Sequence, residues 1–432
     1  MLRRATCCLL LYAAAPFACN AEAGAGSAET GGSGETTTGR DASSTTLGDA
    51  SSSTTSADVG DTGDTGAEST SADGSSSTGA SAEEWEWDLP ENIPAPRVPE
   101  DNPMSAAKVE LGRHLFYDPR LSANQTQSCS SCHFQELAFT DGLATPVGST
   151  GEHVPANSMA LVNVAYNATY TWASPLELTL SSQAALPLFG DSPIELGSHL
   201  DEDGVFQRVK KDPVYGMLFS EAYPEEDDPV SWINIRLALA SFQRTLISVD
   251  SPYDAYTRGD DEAISESAKR GAALFFSEAL ECHHCHGSFN FTHSTVHENT
   301  AFTSRPFENT GLYNIGGDGS YPVDGLGLYR FTLDPSDEGK FRPPTLRNIS
   351  VTGPYMHDGS MDTLGEVLDF YAAGGRNIED GRYAGDGRSN PNKSSFVSGF
   401  PMSDQDREDL IAFLESLTDE DFLTNPNFSD PW

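Results

Sequence analysis

Apolar positions along the chain fall into four helical registers, separated by polar connections rich in glycine, proline and asparagine. Over Ser105–Tyr117, Leu111, His114 and Leu115 share one face, and over Ser231–Leu246, Ile233, Leu237 and Ala240 do the same. Thr363–Tyr371 sets Leu364, Val367, Leu368 and Tyr371 at i, i+3, i+4 and i+7. A last helix opens at Ser403, whose hydroxyl can cap free backbone N–H groups, and turns Leu410, Phe413, Leu414 and Leu417 inward. Loops such as Asn309–Arg330 run between these segments, so the pattern predicts a mainly α fold with long loops and short strands. Gly112-x-x-Leu115-Phe116-Tyr117 returns as Gly271-x-x-Leu274-Phe275-Phe276. That repeat predicts two similar domains, residues 85–253 and 254–432, with the boundary near Pro252–Arg258.

The first 84 residues break this pattern. Arg3 and Arg4 precede an apolar stretch, Ala5–Ala18, too short to span a bilayer, so residues 1–18 read as an export signal. Phe17-Ala18-Cys19 resembles a bacterial lipoprotein cleavage box, which would make Cys19 a lipid anchor; Pro16 keeps simple secretion open as the alternative. From Asn20 to Glu84 there is no aromatic and no proline, and Leu47 and Val59 are the only large aliphatics. Such a segment buries too little apolar surface to offset its chain entropy, so residues 19–84 should be a solvated tether. Folded sequence begins at Trp85-Glu86-Trp87. The net charge of −40 argues against nucleic acid and anionic lipid surfaces as partners.

Seven cysteines divide cleanly: Cys7 and Cys8 leave with the signal, Cys19 is the anchor candidate, and four lie in Cys129-Ser-Ser-Cys132-His133 and Cys282-His-His-Cys285-His286. None remains for a structural disulfide, which is unusual in an exported chain of this size. CxxCH places two thiols one helical turn apart, able to form thioethers to one haem, while the following histidine reaches the iron. A zinc site made from both CxxC pairs would need them closer in sequence and has no use for a histidine after each. The motifs therefore predict two covalent c-type haems. His283 and His284 read as exposed spacers, His293 and His297 as loop histidines without a metal, and His114 as a packed helix residue.

With these residues in view, the chain resembles the bacterial di-haem cytochrome c peroxidases and their MauG relatives from Leu89 to Trp432. The resemblance rests on Leu111–Asp118, Ser128–His133, Leu161–Ala165, Phe341–Asn348 and Thr352–Gly359. Within the family, Pro187–Gly197 and the ending Asn427–Trp432 look most like the MbnH-like enzymes, which oxidise tryptophan in a copper-binding partner protein. The resemblance implies that the haem on His133 reacts with hydrogen peroxide beneath Gln183, Pro187 and Glu195, with Glu195 as the distal carboxylate. Two extra residues between Gln183 and Glu195 depart from the shorter family members. It implies a second, six-coordinate haem on His286 whose other axial ligand falls on Tyr371, with Met356 as the competing ligand. A phenolate ligand would favour a paired high-valent state of the two haems. Trp172 lies one residue from the family's inter-haem tryptophan, and a calcium ion maps to the Asn163 side chain and the carbonyls of Thr352 and Pro354. His153 is four residues off the spacing of a gating histidine, which implies an open peroxide site.

Three functions are consistent with this pattern. The first is an exported di-haem peroxidase, periplasmic or at the cell surface, that oxidises a small MbnP-like partner. The second is a peroxide-detoxifying cytochrome c peroxidase fed by a donor cytochrome or cupredoxin. The third is a non-enzymatic di-haem electron carrier.

Overall fold

The computed structural model describes residues 85–432; the expected export signal, the candidate anchor Cys19 and the expected tether lie outside the described residues. Helices follow in the order α1 (Ala106–Tyr117), α2 (Leu180–Gln183), α3 (Ala185–Phe189), α4 (Glu202–Lys211), α5 (Pro213–Ala222), α6 (Trp232–Arg244), α7 (Pro252–Thr257), α8 (Glu266–Phe275), α9 (His283–His286), α10 (Tyr329–Thr332), α11 (Leu364–Ala373), α12 (Asp404–Glu415) and α13 (Glu420–Thr424). One two-residue antiparallel pair, β1 (Asn377–Ile378) with β2 (Gly385–Asp386), is the sheet among the described residues. The mainly α expectation with short strands holds. No helix among the described residues is long and apolar enough to cross a membrane.

The expected cap at Ser403 is present, and the other three predicted helices open on caps of the same kind. Ser105, Ser231, Thr363 and Ser403 each accept a hydrogen bond from a backbone N–H of the first turn of α1, α6, α11 and α12. The predicted face of α6 needs correction. Ile233 is exposed, and the buried stripe runs through Ile235, Ala238, Leu239 and Phe242 instead. α1 lies across this helix at a contact that requires a small residue, and that crossing selects the stripe.

That crossing also explains the internal repeat. A Cβ on Gly112 of α1 would stand 2.0 Å from the Ala238 carbonyl oxygen and 2.9 Å from Phe242 Cβ. A Cβ on Gly271 of α8 would stand 1.9 Å from the Asp409 carbonyl oxygen and 2.8 Å from Phe413 Cβ. In each case one helix meets a partner at residues i and i+4, close enough that glycine alone fits. The same helix crossing is therefore built twice, α1 on α6 and α8 on α12. Leu111, Leu115, Phe116, Ala238 and Phe242 centre one apolar cluster, and Phe275, Leu410, Phe413 and Leu417 centre another. The chain end returns to the first: Phe422, Leu423 and Phe428 pack into it, and the Tyr117 hydroxyl donates to the Phe428 carbonyl at 2.6 Å.

Candidate active site

Each CxxCH segment forms a single tight turn on the wall of its own cavity. Cys129, Cys132 and His133 face a cavity of about 230 Å³, and Cys282, Cys285 and His286 face one of about 200 Å³. His133 donates from Nδ1 to the Phe139 carbonyl at 2.6 Å, and His286 Nδ1 lies 3.1 Å from the carbonyls of both Phe291 and Pro344. These bonds fix each ring and leave Nε2 toward the cavity as a ligand. Burial lowers the pKa of both histidines, that of His286 to about 4, so both rings are neutral and able to bind iron. Burial likewise pushes all four thiols up to about 12. Paired thiols, a neutral histidine with a free Nε2 and a mostly apolar wall are the donor set that a covalent haem needs, so the residues fit two such groups.

Gln183, Pro187 and Glu195 all line the first cavity. The loop between the last two is closed by Leu196 N–H donating to the Pro187 carbonyl at 2.9 Å, which brings Glu195 back beside α3 despite the two extra residues. Its backbone is tied further by Ser149 N–H, which donates to the Glu195 carbonyl at 2.7 Å. A Cβ on Gly148 would stand 1.9 Å from the Ile194 carbonyl oxygen, so this close pairing needs glycine there. Burial raises the pKa of the Glu195 carboxyl, with no counter-charge to offset it. A carboxyl tuned upward in a cavity wall is suited to passing a proton. His153 is exposed on the loop that flanks this cavity, and its ring meets Thr145 at 3.4 Å rather than the cavity interior.

Trp172 lines both cavities. Its indole donates to the Asn157 carbonyl at 2.8 Å, and its own carbonyl accepts from Arg342 N–H at 2.8 Å, so both edges of the residue are held. Tyr371 and Met356 both line the second cavity. Burial raises the pKa of the Tyr371 phenol. Met356 sits in a tight turn at φ 71° and also lines a small chamber of about 70 Å³ between the two larger cavities. Thr352 and Pro354 line that chamber, but Asn163 does not. The Asn163 side chain is spent on the core: Oδ1 accepts from Ser248 N–H at 2.7 Å, and Nδ2 donates to the Ser248 carbonyl and to Asn290 Oδ1, each at 3.0 Å. Asn157 and Asn167 line the chamber instead.

Sequence reading passed over four residues that matter here. They are Asn157, Gly148, Tyr170 and Arg342. Tyr170 is half-buried against the first cavity, two residues from Trp172. Arg342 is buried beside Trp172, and burial lowers its pKa to about 10. An arginine inside the otherwise apolar run Phe341-Arg-Pro-Pro was the available signal.

A sequence profile of the di-haem cytochrome c peroxidases matches residues 106–262. The chain is 34% identical to the methylamine utilization protein MauG of Methylorubrum extorquens over 77% of this chain and 83% of that protein. It is 33% identical to the cytochrome-c peroxidase IdrP1 of a Pseudomonas species (strain SCT) over 76% and 84% of the two chains. Its fold matches the crystal structure of a MauG-like protein associated with microbial copper homeostasis. That match has a TM-score of 0.79 at 49% identity and covers 81% of this chain and 99% of the other.

Proposed function

The chain belongs to the di-haem cytochrome c peroxidase and MauG family and is an oxidoreductase of that kind, and we propose that it uses hydrogen peroxide to oxidise a partner protein, with tryptophan as the residue attacked. When bound, the haem on His133 supplies an iron open to peroxide, and the haem on His286 supplies a second redox centre. Glu195 is the proton carrier. Its carboxylate would take the proton from the peroxide oxygen that is retained and return it to the other, departing oxygen. Gln183 orients the peroxide through its side-chain amide, and Pro187 keeps the wall beside Glu195 apolar, which holds that carboxyl up. Trp172 links the two cavities and carries oxidising equivalents between them. Tyr371 supplies an oxygen ligand to the second centre.

The observation that carries this reading is a cavity lined by a half-buried carboxyl of raised pKa, with no histidine from the 146–154 loop inside it, paired with a second cavity lined by a half-buried phenol. Peroxide added to the fully oxidised holoprotein should react at once and give a long-lived species absorbing in the near infrared. Turnover seen only after pre-reduction would reject it. Met356 in the second cavity favours a second reading, a peroxidase fed by a small donor cytochrome or cupredoxin, because thioether ligation raises a haem potential. A sulfur-ligand charge-transfer band in the parent protein would decide for it. The likeness to a protein associated with copper homeostasis supports a small exported, copper-binding partner at the periplasm or cell surface. The oxygen-lined chamber suits a calcium ion held by the carbonyls of Thr352 and Pro354 and the side chain of Asn157.

A further inference from the structure

We propose that Glu278, His283 and His284 form a surface site for a divalent transition-metal ion, distinct from both haem irons. One ligand atom of each lies within 4.8 Å of the others. His283 Nε2 stands 3.5 Å from Glu278 Oε1, and His284 Nε2 stands 3.4 Å from Glu278 Oε2 and 2.7 Å from Glu281 Oε2. Ion pairing accounts for His284 with Glu281 but not for the placement of Glu278. The contacts to Glu278 are longer than a good hydrogen bond. The two imidazole centroids are 4.3 Å apart, and both Nε2 atoms converge on the Glu278 carboxylate. An ion shared by two imidazoles and a carboxylate would sit among these three ligand atoms, with the Glu281 carboxylate beside His284.

The site is preorganised by the haem attachment itself. His283 and His284 occupy the single turn between Cys282 and Cys285, and thioethers on both cysteines would hold the backbone beneath them rigid. The His284 ring is further stacked on Phe396 at 4.4 Å and 15°. Phe396 and Glu281 belong to the wall of the second cavity, so an ion here sits on that cavity's outer rim. Glu278 is largely exposed, which leaves the site open to solvent with coordination positions to spare. Two imidazoles with carboxylate oxygen favour Cu(II), Ni(II) and Zn(II) over Mg(II) and Ca(II). His293 and His297, whose four-residue spacing offers the more obvious motif, do not join this group.

The test uses the holoprotein with both haems attached, titrated with copper(II) chloride in excess magnesium and followed by electron paramagnetic resonance and calorimetry. One equivalent of copper should bind with hyperfine structure from two nitrogens. Glu278→Gln should weaken binding at least about tenfold, and the His283→Asn/His284→Asn double variant should weaken it further. His297→Asn should leave it unchanged. Glu278 lies outside the haem motif, so its variant keeps the test decisive if substitution at the spacers disturbs haem attachment; optical spectra report on that attachment directly. Absence of a saturable site, or unchanged copper affinity in Glu278→Gln, would overturn the proposal. Its outcome is independent of how either haem reacts with peroxide.

Discussion

Alanine at Gly112 should destabilise this protein severely, while alanine at Gly216 should stabilise it, although both glycines lie inside helices. At Gly112 the new Cβ would meet the Ala238 carbonyl oxygen at 2.0 Å and its carbon at 2.6 Å. Carbon–oxygen contacts relax near 3.3 Å, so α1 and α6 would have to part by about 1.3 Å at their crossing. The atoms in the way are helical backbone, and no rotamer change relieves them. Overpacking a core costs about 1–3 kcal/mol, and a shift that also lifts Leu111, Leu115 and Phe116 off their neighbours belongs at the upper end, about 3 kcal/mol. Gly216 sits exposed in α5 with nothing within 4 Å of an added Cβ. There alanine only removes freedom from the unfolded chain, a gain of about 0.5–1 kcal/mol. Denaturant unfolding of the holoprotein, followed by far-ultraviolet circular dichroism and by the Soret band, should move the two midpoints in opposite directions. Phe116 lies 6.4 Å from the His133 ring, so Gly112→Ala should also perturb the spectrum of the first haem. A Gly112→Ala variant within about 0.5 kcal/mol of the parent would refute the close crossing as the reason for the repeated glycine.

Glu195→Gln should slow the peroxide reaction by about 10²–10⁴-fold in stopped-flow measurements with little change in stability. In the proposed mechanism the carboxylate form is the proton acceptor, and burial raises its pKa. The rate should therefore fall as pH drops through a value above the ordinary 4.5, and the variant should lose that inflection. Trp172→Phe should leave peroxide binding at the first haem intact but slow redox equilibration between the haems, read from the two sets of haem bands; unchanged equilibration would remove Trp172 from the path. Arg347→Ala should cost about 3–5 kcal/mol, because it strands the buried Asp254 carboxylate now gripped at 2.7 and 2.9 Å. In the parent, burial pushes Asp254 up, but the Arg347 guanidinium and the Ser251 donors hold it below the ordinary 3.8. Its stabilisation should thus be complete above that value and be lost as pH falls through the lower folded one, whereas the variant should become relatively less unstable on acidification.

The local features of this protein were legible because they depend on neighbours in sequence. The Ser403 cap is satisfied within one turn, and the CxxCH spacing is itself one turn of chain, so both were readable before any fold was known. The Gly112/Gly271 repeat could be seen too, but its cause could not, since the carbonyls that forbid a side chain come from helices well over a hundred residues away. The same long-range crossing overruled the predicted face of α6 and left Ile233 in solvent. At the site, the identity of the iron-binding histidines was fixed locally. Chain folding decided which polar groups remain free around them. Asn163 and Asn157 look alike as letters, yet Ser248 and Asn290 consume one while the other reaches the chamber between the cavities. Likewise, Glu278 stands over His283 and His284 only because the turn after α8 folds back on α9. Sequence determined which groups could do chemistry; packing and hydrogen bonding across distant segments decided which were left available for it.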